Sequence, residues 1–332
     1  MLKEKLKNNT FMNRFFNKSK QNFIIVIALL VLVILFYFLN PNFLNEYNII
    51  SMAQSLAPYA IMGLGVTFAI ATGGIDLSIG TVCIAAAVIA GKLYTTGALP
   101  LWGTVPVMIA IGGLFGLVNG LLIAKLKLPA FIATLGTMMV SRGLSAIIVN
   151  APNVFYPTGT AFNKLFSNYN GFPSGVLWVL GFMLLCMYLM YKNKVGRYIL
   201  SIGSNEEATR LSGINTDKYK IIAYVLTGLG AGIAAVFWSS SFVTVASATG
   251  NGMELDAIAG VYIGGTSAAG GVASVGGSVI GAAMLVVIRS GLNFVLAKYN
   301  VSVNSTYVTY VLTGVIVVFS VLIDILKNKK KK

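Results

Sequence analysis

The chain has 332 residues, of which 57% are hydrophobic and only 10% charged, with a mean hydropathy of +0.83 and a formal net charge of +15. Soluble globular domains carry roughly 25% charged residues, so the composition excludes that class and points to an integral membrane protein. Histidine is absent and the two cysteines, Cys83 and Cys186, lie far apart within apolar runs, so neither a disulfide framework nor a metal site is expected.

A polar, basic stretch over residues 1–20 precedes the first apolar run, "FIIVIALLVLVILFYFL" from Phe23 to Leu39. No small-residue cleavage site follows this run, which reads as a retained first helix. Further candidate spans follow at 50–71, 77–92, 101–124, 129–149, 174–191, 219–241, 255–270, 276–297 and 305–323. The predicted fold is all-α, a polytopic membrane bundle of about ten transmembrane helices forming one domain over 1–332. Glycines spaced by four residues mark the faces on which helices approach closely: Gly112, Gly116 and Gly120, Gly228 and Gly232, Gly277 and Gly281.

The basic residues orient this bundle. With a cytoplasmic N-terminus, 19 of the 24 lysines and arginines fall on inside segments: 1–20, Lys125 and Lys127, the connection from Lys192 to Lys220, and the tail 324–332. Only Lys92, Lys164 and Lys298 fall outside, while Arg142 and Arg289 lie within spans. The positive-inside rule therefore places both termini in the cytoplasm. The net charge is an orientation signal, and no nucleic-acid partner is expected.

Two spans, 77–92 and 255–270, are short for a bilayer, and each has acid near its start: Asp76 before one, Glu254 and Asp256 at the other. The turns at 72–76 and 270–276 contain no lysine or arginine. Short or broken helices near 72–92 and 255–276 point to a central pathway, because irregular backbone survives at depth only where protein or a water-filled cavity satisfies it. "GGIDLSIGTV" from Gly73 and "GGVASVGGSV" from Gly270 are also faintly alike. Candidate pathway or pathway-supporting residues are Gly73, Gly74, Asp76 and Ser78, then Arg142, Glu254, Asp256 and Arg289. Asp76 is either a pathway residue or a cap for a helix restarting after a break, with Arg142 and Arg289 as candidate cationic partners.

The outer connection from Asn150 to Pro173 carries Phe155, Tyr156, Phe162, Phe166 and Tyr169. It is either a docking surface or a loop packed on its own mouth. On the inner side, the connection at 192–218 contains a short helix: Ser204 and Glu207 form a capping box, Ala208 and Leu211 share a face, and Gly213 suits a left-handed stop. This helix is either a docking element or a simple linker. No G-x-x-x-x-G-K-[ST] phosphate loop is present, so nucleotide-driven work would have to come from another chain.

Four segments carry a resemblance: "GGIDLSIG" (73–80), "LPAFIATLGTM" (128–138), "GRYILSIGSNEEATRLSGIN" (196–215) and "GMELDAIAGVYIGGTSAAGG" (252–271). In sequence and order they resemble ribose-type ABC importer permeases, the membrane subunits of binding-protein-dependent monosaccharide importers. Some relatives in that family carry a sugar derivative or a polyol. The resemblance implies a ten-helix subunit in a bacterial cell membrane, a second permease subunit, an extracytoplasmic sugar-binding protein and ATPase subunits holding ATP and magnesium. It also implies that the chain itself binds no cofactor, has no catalytic residues and moves a small sugar by alternating access. Under the same resemblance Ser204, Asn205, Glu206 and Glu207, with Ala208, Arg210, Leu211 and Gly213, form the segment seated on the ATPase. The competing classes are an ion-coupled secondary transporter using Asp76, Glu254 or Asp256, which needs no docking helix, and an intramembrane enzyme.

Overall fold

A computed structural model of the chain describes residues 23–150, 153–250 and 252–300, then 307–308, 310–315, 318–319 and 322. The basic segments at 1–20 and 324–332 lie outside the described residues, and the last expected span, 305–323, is described only in part, as helix. The helices in chain order are α1 (Phe23–Leu39), α2 (Glu46–Ala71), α3 (Ile79–Thr95), α4 (Thr104–Ala124), α5 (Ala130–Val149), α6 (Ala161–Phe166), α7 (Gly175–Met187), α8 (Lys194–Ser204), α9 (Glu206–Leu211), α10 (Thr216–Ser241), α11 (Met253–Ile263) and α12 (Val275–Lys298). Two three-residue strands, β1 (Asn153–Phe155) and β2 (Thr244–Ala246), pair antiparallel with Val154 opposite Val245.

Among the described residues, six helices are long and apolar enough to cross a membrane: α2, α4 with the turn before it, α5, α7 with its π-helical continuation to Lys192, α10 and α12. The helices α1 and α3 are apolar but shorter. In the middle of the bundle, α2 is buried without interruption from Ala57 to Ala71 and α3 from Ile79 to Val88.

Backbone contact at glycine determines how these helices meet. On α4, a Cβ at Gly112 or Gly116 would overlap backbone of α10 around Gly228, Gly232 and Tyr224, and one at Gly120 would lie 2.8 Å from the Ile221 Cα. The expected four-residue rows are thus the seam between α4 and α10. Gly65 and Gly230 bring α2 against α10 in the same way, with a Gly65 Cβ only 3.1 Å from the Gly230 Cα. The row at Gly277 and Gly281 seats α12 against Gly264 and Gly260 of the α11 segment.

Two boundaries depart from the sequence reading. The apolar pattern continues to 270, yet α11 ends at Ile263, because Gly264 and the left-handed Gly265 (φ +88°) stop it and the chain runs irregularly to Ser274. The connection after α7 holds a helix the sequence reading omitted, α8, which buries Gly196, Ile199 and Ile202.

The outer aromatic loop packs in part on its own mouth. Phe162 and Tyr156 are buried, with the Tyr156 hydroxyl donating to the Ala87 carbonyl at 2.7 Å, while Phe155 and Tyr169 stay exposed.

Gly116→Leu should wedge α4 from α10 and cost about 1–3 kcal/mol, visible as a lower thermal midpoint in detergent. Gly136→Ala, where nothing lies within 4 Å of the added methyl, should leave the midpoint unchanged or raise it slightly.

Candidate functional site

The link between α2 and α3 answers what Asp76 does. The helix α2 ends at Thr72, and Gly73 turns the chain with φ +82°. A side chain at Gly74 would collide with the Tyr224 hydroxyl, so only glycine lets the link pass there. The buried Asp76 carboxylate then accepts from the Ser78 N–H at 2.9 Å and the Ser78 hydroxyl at 2.6 Å. It caps the restart of the helix, one of the two roles expected of it.

The capping group is tied into the bundle by neutral partners. Asn119 on α4 donates to the Ser78 hydroxyl at 2.9 Å and, at 3.4 Å, to the other Asp76 oxygen. Thr137 on α5 donates to the Asn119 carbonyl oxygen at 2.7 Å, and Ser141 to the Thr81 hydroxyl at 2.8 Å. All six side chains are buried. Neither Arg142 nor Arg289 pairs with Asp76, which corrects the expected cationic partner. Hydroxyl and amide donors satisfy the carboxylate without placing a guanidinium in the core.

Arg289 serves a different acid. It donates to Asp256 at 2.6 Å and to the Tyr59 hydroxyl at 2.7 Å, joining α12, α11 and α2. Its guanidinium also lies 5.3 Å from the centre of the Tyr59 ring, and Tyr59 meets Trp238 edge-on. This group lines a cavity of about 290 Å³. Glu254 accepts from the Gly252 N–H at 3.2 Å through one oxygen, while its other oxygen and the Arg142 Nε are buried without a hydrogen-bond partner. The predicted residues therefore form a capping network and a cavity group, not one cluster.

At the opposite end of the bundle, the two irregular turns meet. Gly271 N–H donates to the Ala71 carbonyl at 3.0 Å, and a Cβ on Gly270 would lie 2.6 Å from the Gly73 nitrogen. The end of α8 closes this junction from the third side. A Cβ on Gly203 would overlap the Ala71 carbonyl oxygen and the Gly271 nitrogen, and one on Gly271 would lie 2.5 Å from the Ser204 hydroxyl.

The helix α9 follows at once. Ser204 ends α8, so the cap is Asn205, whose side chain accepts from the Ala208 N–H at 2.9 Å, and the expected Ser204 capping box is corrected by one residue. Glu206 pairs with Lys220 at 2.5 Å and anchors α9 to α10. Glu207 and Arg210 pair with each other at 2.7 Å on the exposed side, and the hydrogen bond from Glu207 raises the Arg210 pKa above its ordinary value. Leu211 is 79% exposed, and Gly213 takes the expected left-handed turn (φ +79°).

Sequence reasoning missed Tyr59, Trp238, Asn119, Thr137 and Gly203. A signal existed for some of them. Asn48, Ser51, Ser55 and Tyr59 fall at helical spacing along α2, as do Thr134, Thr137, Ser141 and Ser145 along α5.

Six described helices long and apolar enough to cross a membrane, packed around two interrupted helices, define a polytopic membrane protein. The sequence belongs to the family described as "Branched-chain amino acid transport system / permease component", matching it over residues 48–321. The chain is 37% identical over 314 residues to the ribose import permease of Escherichia coli K12, covering 92% of this chain and 93% of that protein. It is 34% identical over 310 residues to the Bacillus subtilis ribose import permease, covering 90% and 91%. The galactose/methyl galactoside import permease of E. coli K12 is 31% identical over 328 residues, covering 93% and 95%. The chain is a transport component of the cell membrane.

Asp76→Ala should leave the Ser78 and Asn119 donors unpaired and lower the thermal midpoint, with Asp76→Asn losing less because its amide oxygen still accepts. Arg289→Met alone should strand the buried Asp256 carboxylate and lower the thermal midpoint, and Arg289→Met with Asp256→Leu should recover part of that loss in the same unfolding assay.

Proposed function

We propose that this chain is the permease subunit of an ATP-driven importer that passes a small sugar through a dimeric pathway by alternating access. The observation that carries the importer reading is the junction at Gly73, Gly203 and Gly270. It joins the turns of two broken helices to the end of α8, which runs straight into the capped, exposed helix α9. An ion-coupled carrier has no use for such a helix, whereas a partner ATPase pressing on α9 would move both turns at once.

In this reading Ser204 to Gly213 seats on the ATPase subunit, which holds ATP and magnesium; the permease hydrolyses nothing itself. The chain is one domain of ten spans with both termini cytoplasmic, and the charge distribution supports that orientation. The segments at 1–20, 192–218 and 324–332 then lie on the ATPase side. Phe155 and Tyr169 lie on the other side, where an extracytoplasmic binding protein would deliver its load, and a second copy of the permease completes the pathway. The substrate class rests on the relatives, which are named for ribose and for galactose/methyl galactoside. Specificity resides mainly in the binding protein, so the permease holds its sugar weakly.

Affinity purification of the solubilised chain from its native membranes, with partners identified by mass, tests the reading. Wild type should retain an ATPase chain, and Glu207→Arg with Leu211→Asp should reduce its recovery at least tenfold. Recovery of no ATPase by wild type would overturn the importer in favour of the self-sufficient carrier.

A further inference from the structure

We infer that the cavity lined by Tyr59, Trp238 and Arg289 is a weak binding site for one neutral polyhydroxylated ring, a free monosaccharide, held within a single subunit; this rests on the import reading above. The cavity is enclosed by α2, α10, α11 and α12, and its volume of about 290 Å³ is at the lower edge of the range for small-molecule sites. It lies at the end of the bundle remote from the glycine junction. Between Ser55, which lines it, and Ala71, which closes the junction, α2 rises about 24 Å. In the proposed orientation this is the side from which substrate arrives.

The chemistry of the lining selects the ligand. Its one acid and one base, Asp256 and Arg289, are bound to each other and to Tyr59, so the cavity presents no unpaired charge. A zwitterion entering it would have to break that pair or bring its own charges into a poorly hydrated space, and either is costly. The remaining polar lining is neutral. Ser51, Ser55 and Asn293 line the space. Hydroxyl and amide groups both donate and accept, which suits a ligand whose own groups are hydroxyls.

Aromatic rings complete the site. Trp238 and Phe242 pack against each other with centroids 4.4 Å apart and planes tilted by 38°, giving the cavity an aromatic wall for the C–H face of a sugar ring. Trp238 is only 8% exposed, so the surface it offers the cavity is ring carbon; its indole N–H is buried, with no acceptor among the described residues.

The test uses the purified full chain in lipid nanodiscs, with ribose, galactose and D-allose as probes and L-leucine as the zwitterionic control. Binding is read by saturation-transfer NMR, and ATPase recovery is measured on the same variants. At least one sugar should bind at millimolar concentration and leucine should not. Trp238→Leu, which replaces the aromatic wall by an aliphatic side chain, and Asn293→Ala, which removes an amide from the lining, should each weaken binding about five- to tenfold. Ser55→Met, which fills the cavity, should abolish it. All three variants should still retain the ATPase. Wild-type sugar binding in all three, or no binding of any probe sugar by wild type, overturns the site while an intact ATPase complex leaves the importer standing. Binding of leucine in place of the sugars overturns both the site and the sugar assignment.

Discussion

A backbone amide or carbonyl inside a bilayer has no water to bond, so a chain that breaks its helices at depth must supply the missing partners itself. Here the breaks after α2 and after α11 satisfy one another. Gly271 donates to the carbonyl of Ala71. Gly270 lies so close to the Gly73 nitrogen that it has no room for a side chain, and both glycines take a left-handed φ of +82°. Asp76 completes the first break by capping the restart of α3. The irregular segments are therefore fixed structures held by backbone contact, and the end of α8 is built into the same contact through Gly203.

This junction gives α11 a mechanical meaning. The helix is only eleven residues, about 16 Å long, and its first turn carries Asp256, the partner of Arg289 in the cavity. Its last turn leads through Gly264 and Gly265 to the glycines that touch Gly73 and Gly203. In the proposed importer, a displacement applied at α9 would reach the cavity through this one short helix, flanked by the glycine contacts of α12. Close-packed backbones of this kind move as bodies, because little side-chain volume lies between them to absorb the motion.

Much of this was legible in the sequence because the membrane enforces simple rules. Apolar runs gave the long helices, four-residue glycine rows gave the α4–α10 and α11–α12 seams, and the acid among glycines gave the cap at Asp76. The pairing of buried charges was not legible. Asp76 is served by Asn119 across α4, and Arg289 by Asp256 and Tyr59; these partners lie far apart in sequence and only packing brings them together. The end of α11 was misjudged because an apolar run cannot reveal which of its glycines stops the helix. The cap of α9 shifted from Ser204 to Asn205 because both residue types cap well and α8, unrecognised, had already taken Ser204.

The central claim is that the end of α8 transmits ATPase movement to the broken helices through direct backbone contact. Its most direct measurement is sugar uptake alongside ATP hydrolysis by the reconstituted assembly carrying Gly203→Ala, in which the added methyl forces Ala71 and Gly271 away from α8. The account predicts an assembled complex that hydrolyses ATP but takes up little or no sugar. Uptake at the wild-type rate per ATP hydrolysed would contradict it.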